Sequence, residues 1–295
     1  MRIWDDIGKT FKNGNSLTRL IYVNIAVFLL ITIGSIIAYL LNNQTLQINL
    51  LNWFSVPSSF KAFLVRPWTL ITYMFTHKDI LHILFNMLWL YWFGTIFLEY
   101  LDQKKLVAVY LLGGICGAVV YIISFNIFPA FDQVVNESVA IGASASVLAI
   151  VVAIAAYVPD YSVNLFLIGR IKIKWVALAI FILTSVMDFS VNSGGKLAHI
   201  GGAAFGYIYT VSLRRGHDPG KGLNKILDFF ATLFKPRKKL RVTYKKKKTD
   251  YEYNKARADH QEQINKILDK ISKGGYDCLT KEEKDLLFRE SQKNN

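Results

Sequence analysis

Apolar residues gather into six runs, each long enough or nearly so to cross the hydrocarbon core of a membrane, which takes about 20 mostly apolar residues in a helix. The runs lie at about 20–41, 80–98, 106–128, 139–158, 175–189 and 197–213. The fifth is short. Lys and Arg bracket most of them, and Tyr and Trp gather near several ends, where interfacial anchors belong. No solenoid or inverted repeat stands out. Between the first two runs, residues 42–79 carry Leu50, Leu51, Trp53, Phe54, Phe60, Phe63, Leu64 and Trp68. That is too apolar for a plain linker and reads as an amphipathic piece lying in the membrane interface.

Past Leu213 the pattern changes. Residues 214–248 hold thirteen Lys and Arg against two acidic residues, Asp218 and Asp228. Beyond them Ile264, Ile267, Leu268 and Ile271 recur at helical spacing, with Gly274-Gly275 as a stop. Thr280 followed by Glu283 has the form of a capping box opening a second short helix with Leu286, Leu287 and Phe288. The predicted organisation is a cytosolic N-terminal segment (1–19), a six-helix intramembrane domain (20–213), a basic juxtamembrane linker (214–250) and a cytosolic helical hairpin (251–295). The fold class is thus an all-α polytopic membrane protein with an interfacial first loop and a small helical tail.

Composition agrees: 53% of the 295 residues are apolar and 19% charged, with no Asp, Glu, Lys or Arg between Leu20 and Phe60. This excludes a soluble enzyme, a disordered chain and a disulfide scaffold; Cys116 and Cys278 imply no disulfide framework. The first run is too long for a signal peptide and no small-residue cleavage site follows it, so it is expected to stay in the mature protein. The net charge of +14 is unevenly spread. Basic residues crowd the N-terminus (Arg2, Lys9, Lys12, Arg19), the second loop (Lys104, Lys105), the fourth loop (Arg170, Lys172, Lys174) and the tail. The positive-inside rule then places both termini in the cytoplasm, as in a bacterial inner membrane, and starts the second, fourth and sixth helices at the outer face.

Near those three starts stand polar side chains that hydrocarbon would penalise. His82 and Asn86 are four apart at the second helix, Gly142-Ala143-Ser144-Ala145-Ser146 opens the fourth, and His199 opens the sixth, followed by Gly202 and Gly206. A serine hydroxyl needs a base, and an imidazole is the usual one near neutral pH. Attack on an amide builds an oxyanion that wants preorganised N–H donors. Ser144 and His199 supply the first pair, and His82, Asn86 and the main chain around Ser144 supply the second. Ser144 is preferred to Ser146, since two residues along a helix turn the side chain by about 200°. Asp188 could complete a triad or simply rest in the interface. Each element alone also has a plain packing explanation: a small-residue seam at Gly142, Gly202 and Gly206, interfacial histidines, an interhelical amide. Packing alone does not call for a hydroxyl, two imidazoles and an amide at one depth. No carboxylate or thiolate accompanies His77, His82 and His199, so no metal or other cofactor is expected.

His82-Ile-Leu-Phe-Asn86, Gly142-Ala143-Ser144-Ala145 and Ala198-His199-Ile-Gly-Gly202-Ala-Ala-Phe-Gly206 resemble the rhomboid intramembrane serine proteases over about 20–213. The resemblance implies a six-helix bundle, Ser144 as nucleophile, His199 as general base, His82 and Asn86 as oxyanion donors, and Gly202 and Gly206 in close contact between the fourth and sixth helices. Three positions depart from the family's pattern: Ala145 where Gly usually follows the serine, Leu148 where a tyrosine often packs on the histidine, and Trp68-Thr69 where Trp-Arg is typical, with Arg66 two residues earlier. The expected activity is hydrolysis of single-span transmembrane proteins near their outer ends. The alternative is a catalytically inactive relative that binds transmembrane helices. The basic tail is expected to meet anionic lipid headgroups, the terminal hairpin has the form of a docking element for a cytosolic protein, and nucleic acid is not expected, because the aromatics form no stacking platform.

Overall fold

The computed structural model describes residues 8, 10, 11, 13–165, 169–233 and 249–291. Its contacts divide the chain into two units, Met1–Lys235 and Pro236–Asn295.

In the first unit, helix α1 (Ser16–Leu40) opens under an Asn15 side chain that accepts from the Thr18 N–H. It is followed by α2 (Gln44–Phe54), β1 (Val56–Pro57), α3 (Phe60–Val65) and α4 (Thr69–Thr72). Then come α5 (Ile80–Tyr100), α6 (Gln103–Ile127), β2 (Val139–Ala140), α7 (Ser144–Tyr157), the β3–β4 hairpin (Ser162–Leu165, Gly169–Lys172), α8 (Ile173–Phe181), α9 (Ser193–Arg214) and α10 (Lys221–Leu233). Among the described residues α1, α5 and α6 are long and apolar enough to cross a membrane. Helices α7 and α8 are apolar but shorter, and α9 is diluted by its Ser193-Gly-Gly-Lys196 opening and its glycines.

Helix α7 is the core. Ten of its fourteen residues are buried, packed by α5, α6, α8 and α9. Such enclosure is why irregular backbone can precede it, since non-helical segments at membrane depth are tolerated where protein surrounds them. The expected helix over 139–158 therefore begins only at Ser144. Val139 and Ala140 pair antiparallel with Pro57 and Val56, and Gly142 sits at φ +112°, where side chains are strained. The β1–β2 pair and the β3–β4 hairpin are corrections to the all-α expectation. In the turn that leads into β3, Asp160 meets Lys172 at 2.8 Å and Lys174 at 3.1 Å; their hydrogen bonds, Lys172's first, hold the exposed carboxyl below its ordinary range.

The first loop is fastened rather than loose. Arg66 Nη1 donates to the Asn52 carbonyl at 2.7 Å and Trp68 Nε1 to that of Trp53 at 3.0 Å, with the two Trp rings 5.0 Å apart. Deeper in, Asn24 of α1 donates to Tyr110 Oη of α6 at 3.0 Å, and that hydroxyl donates to the Met74 carbonyl at 3.1 Å. This buried chain gives each polar group the partner that an apolar surrounding withholds.

The segment 214–250, expected as a linker, contains α10. The high density of Lys and Arg hides the helical recurrence of Leu223, Ile226, Leu227, Phe230 and Leu233. The basic run 234–248, and Arg2, Lys9 and Lys12, lie outside the described residues. In the second unit α11 (Asp250–Gly274) starts at a Thr249/Glu252 capping box. Thr280 and Glu283 exchange bonds at 2.9 and 3.4 Å at the head of α12 (Lys281–Ser291). Lys270 and Glu283 join the two helices at 2.6 Å.

Candidate active site

The N-terminal ends of α5, α7 and α9 meet around a cavity of about 570 Å³ whose wall includes His82, Asn86, Ser144 and His199. Four polar side chains from three sequence-distant helices thus share one enclosure. Ser146 does not join them: its hydroxyl is buried on another side, against Gly114, with no hydrogen-bond partner among the described residues.

Ser144 is the first residue of α7. The helical ladder starts with Val147 N–H to the Ala143 carbonyl at 2.8 Å, so the N–H groups of Ser144, Ala145 and Ser146 precede it, and a helix start leaves such donors free to meet an anion. The turn delivering Ser144 is held on both sides. Gly142 N–H donates to the Tyr73 carbonyl at 2.9 Å. Ala143 N–H meets His77 Nε2 at 3.3 Å. His82 lies directly over Gly142, where a Cβ would come within 2.6 Å of the imidazole Cε1. Only glycine allows both that approach and the positive φ. Asn86 is fixed by donating to the His82 carbonyl at 2.8 Å, which leaves the second amide proton for the cavity.

His199 Nδ1 lies 3.0 Å from the Thr184 carbonyl. A carbonyl only accepts, so Nδ1 carries the proton and Nε2 is left as the basic nitrogen. Thr184 stands in a π-helical turn, Ile182–Val186, that ends the fifth apolar segment. Its carbonyl belongs to the last turn, where acceptors lack partners within the helix. Asp188 does not line the cavity; it sits at φ +47°, and its carbonyl, like that of Met187, accepts from Lys196 Nζ. The histidine is thus steadied by main chain and not by a carboxylate. Behind it α9 approaches α7 closely. A side chain on Gly202 or Gly206 would run into the carbonyls of Ala145 or Ala149.

Sequence reasoning missed Thr184 and the role of His77. A carbonyl acceptor leaves no signature in residue type, and nothing in the spacing of His77 marks it as a partner of Ala143. Among the described residues no cluster of three or more metal-ligating side chains occurs.

Residues 65–216 match the family described as the rhomboid domain, just over half of the chain. The chain belongs to the rhomboid family. RHOMBOID-like protein 12, mitochondrial, from Arabidopsis thaliana is 30% identical to it over 195 residues, which are 62% of this chain and 56% of that protein. The chain therefore spans little more than half the length of that curated relative. Residues 247–293 match a second family, of unknown function (DUF6576). With its membrane-crossing helices this rhomboid is an integral membrane protein.

The rhomboid's departures from the family pattern have structural counterparts. Leu148 lines the cavity while the Thr184 carbonyl holds the histidine. Arg66 reaches the Asn52 carbonyl, so a guanidinium still clamps the first loop although Thr69 follows Trp68. The methyl of Ala145 lies against the bundle, 2.7 Å from where a Cβ on Gly117 would stand.

Proposed function

We propose that the chain is an intramembrane serine endopeptidase that cuts single-span membrane proteins near one face of the bilayer. The observation that carries this reading is the shared cavity of Ser144, His199, His82 and Asn86. In this reading His199 Nε2 takes the proton of Ser144 Oγ as the oxygen attacks the scissile carbonyl. The His82 ring N–H, the free amide proton of Asn86 and the first N–H groups of α7 meet the oxyanion, a stabilisation worth about 3–4 kcal/mol per donor in well-studied sites. The protonated imidazole hands its proton to the leaving amine, and water then releases the acyl group from Ser144 by the same steps reversed. No cofactor takes part. Gly142, Gly202 and Gly206 serve by letting the helices close.

A transmembrane helix keeps its carbonyls bonded, and opening it in lipid costs several kcal/mol. The substrate segment is therefore one that unwinds easily at the aqueous edge. In the full proposal the catalytic domain is 20–213, with six crossings: α7, α8 with its π-helical extension, and α9 complete the count, and the enclosed position of α7 relaxes its length requirement. The charge bias supports a reading with both termini in the cytoplasm and the cavity at the outer face. The composition suits a bacterial-type inner membrane, and the mitochondrial relative extends the same logic to an organelle. The basic tail would lie on anionic headgroups, and the hairpin 251–295 would serve a cytosolic protein partner.

The test is cleavage of model single-span substrates in proteoliposomes, with fluorophosphonate labelling. Wild type is expected to cut and to label at Ser144, whereas Ser144→Ala and His199→Ala lose both by a hundredfold or more. Helix binding without cutting or labelling by the wild type would identify the inactive alternative instead.

A further inference from the structure

Helix α10 is strongly two-faced, and its construction says where it belongs. After α9 ends, Gly216 adopts φ +82° and His217 N–H returns to the Ser212 carbonyl at 3.0 Å, a glycine stop that turns the chain aside. Asp218 Oδ1 then accepts from Gly220 N–H at 2.8 Å and from Tyr209 Oη at 3.1 Å. Gly220 lies against Ala108 of α6, where a Cβ would come within 2.7 Å of the alanine methyl. Asp228 meets Lys104 at 2.7 Å. Two attachments thus carry α10 to the head of α6. Asp102, Lys104 and Lys105 end there and the apolar run of a membrane-crossing helix begins, so this level is the headgroup boundary.

Held at that depth, α10 buries no residue. Ile226, Phe229, Phe230 and Leu233 are 55%, 60%, 53% and 60% exposed, spaced three, four and seven apart on one face. Lys221, Lys225 and Asp228 occupy the other. A contiguous apolar stripe of this kind is not left facing water. The matching occupant is the surrounding lipid: the stripe is fixed at headgroup level, and the flanking chain is strongly basic, which suits an anionic leaflet.

We propose that Lys221–Leu233 is an in-plane interfacial helix whose Ile226/Phe229/Phe230/Leu233 stripe enters the headgroup–acyl boundary of the leaflet beside the start of α6. This proposal does not rest on protease activity.

The test uses full-length protein with Cys116→Ser and Cys278→Ser, reconstituted in vesicles of phosphatidylcholine and phosphatidylglycerol. A nitroxide is placed at Phe230→Cys, at Lys221→Cys, or at Leu30→Cys as a reference, since Leu30 is 71% exposed on a crossing helix. At Phe230, as at Leu30, collisions with dissolved oxygen should exceed those with a water-soluble nickel chelate, and at Lys221 the order should reverse. Equal nickel access at positions 230 and 221 would mean a helix lying in water. Loss of access to both reagents at 230 would mean a protein partner, whether a second copy or another chain. Either result overturns the proposal.

Discussion

His77 is nearly fully buried and faces two main-chain groups at once, the Phe75 carbonyl at 3.4 Å from Nδ1 and the Ala143 N–H at 3.3 Å from Nε2. Only the neutral ring can accept from Ala143. Burial, and next the nearby His82 ring, lower its pKa from 6.5 to about 4. The unfolded chain therefore holds more protons between those two values, and stability should fall as pH drops from about 6.5 to about 4, then level off. Thermal unfolding in detergent should follow this slope, with a shallower one in His77→Phe. Losing the acceptor of a buried N–H costs about 1–3 kcal/mol of stability, so His77→Ala should lower the melting temperature in detergent. Ser146→Ala makes a contrasting case. It removes an orphaned buried hydroxyl, so it should keep activity and leave the melting temperature unchanged or higher. Gly202→Val drives a side chain into the Ala145 main chain, and such overpacking costs about 1–3 kcal/mol, readable as a lower melting temperature.

At the scale of elements, the π-helical turn Ile182–Val186 connects packing to chemistry. Insertions of this kind inside helices recur at functional sites. Here the turn presents the Thr184 carbonyl to His199. Deleting Leu183 would restore regular winding and rotate the residues after it by about 100°. The expected result is a folded protein with normal detergent-extracted yield and strongly reduced substrate cleavage. Unchanged kinetics would show that the histidine needs no such partner. The apolar runs announced α1, α5 and α6 to within four residues at each end, because lipid-facing helices must be apolar along their whole length. The run over 139–158 misled, because an enclosed segment can be apolar without being helical. The start of α7 is decided by Gly142 and by the pairing of Val139 and Ala140 with the first loop. Helix α10 was obscured by charge that lies on only one of its faces.

For the whole molecule, every residue that lines the cavity belongs to the unit Met1–Lys235, so the cavity is expected to form without the tail. A chain ended after Lys235 should label with fluorophosphonate at a rate within about twofold of full length. What the amino-acid order determines by itself is the set of apolar segments, the clustering of basic charge, and the presence of Ser144, His199, His82 and Asn86 near helix starts. Those follow from solvent preference and residue type, which act position by position. The tertiary structure alone decided that these four side chains line one cavity, that Ser146 turns away from it, and that a main-chain carbonyl in place of Asp188 holds His199. Backbone acceptors carry no residue identity, and contacts between helices far apart in the chain depend on how small residues let their backbones approach.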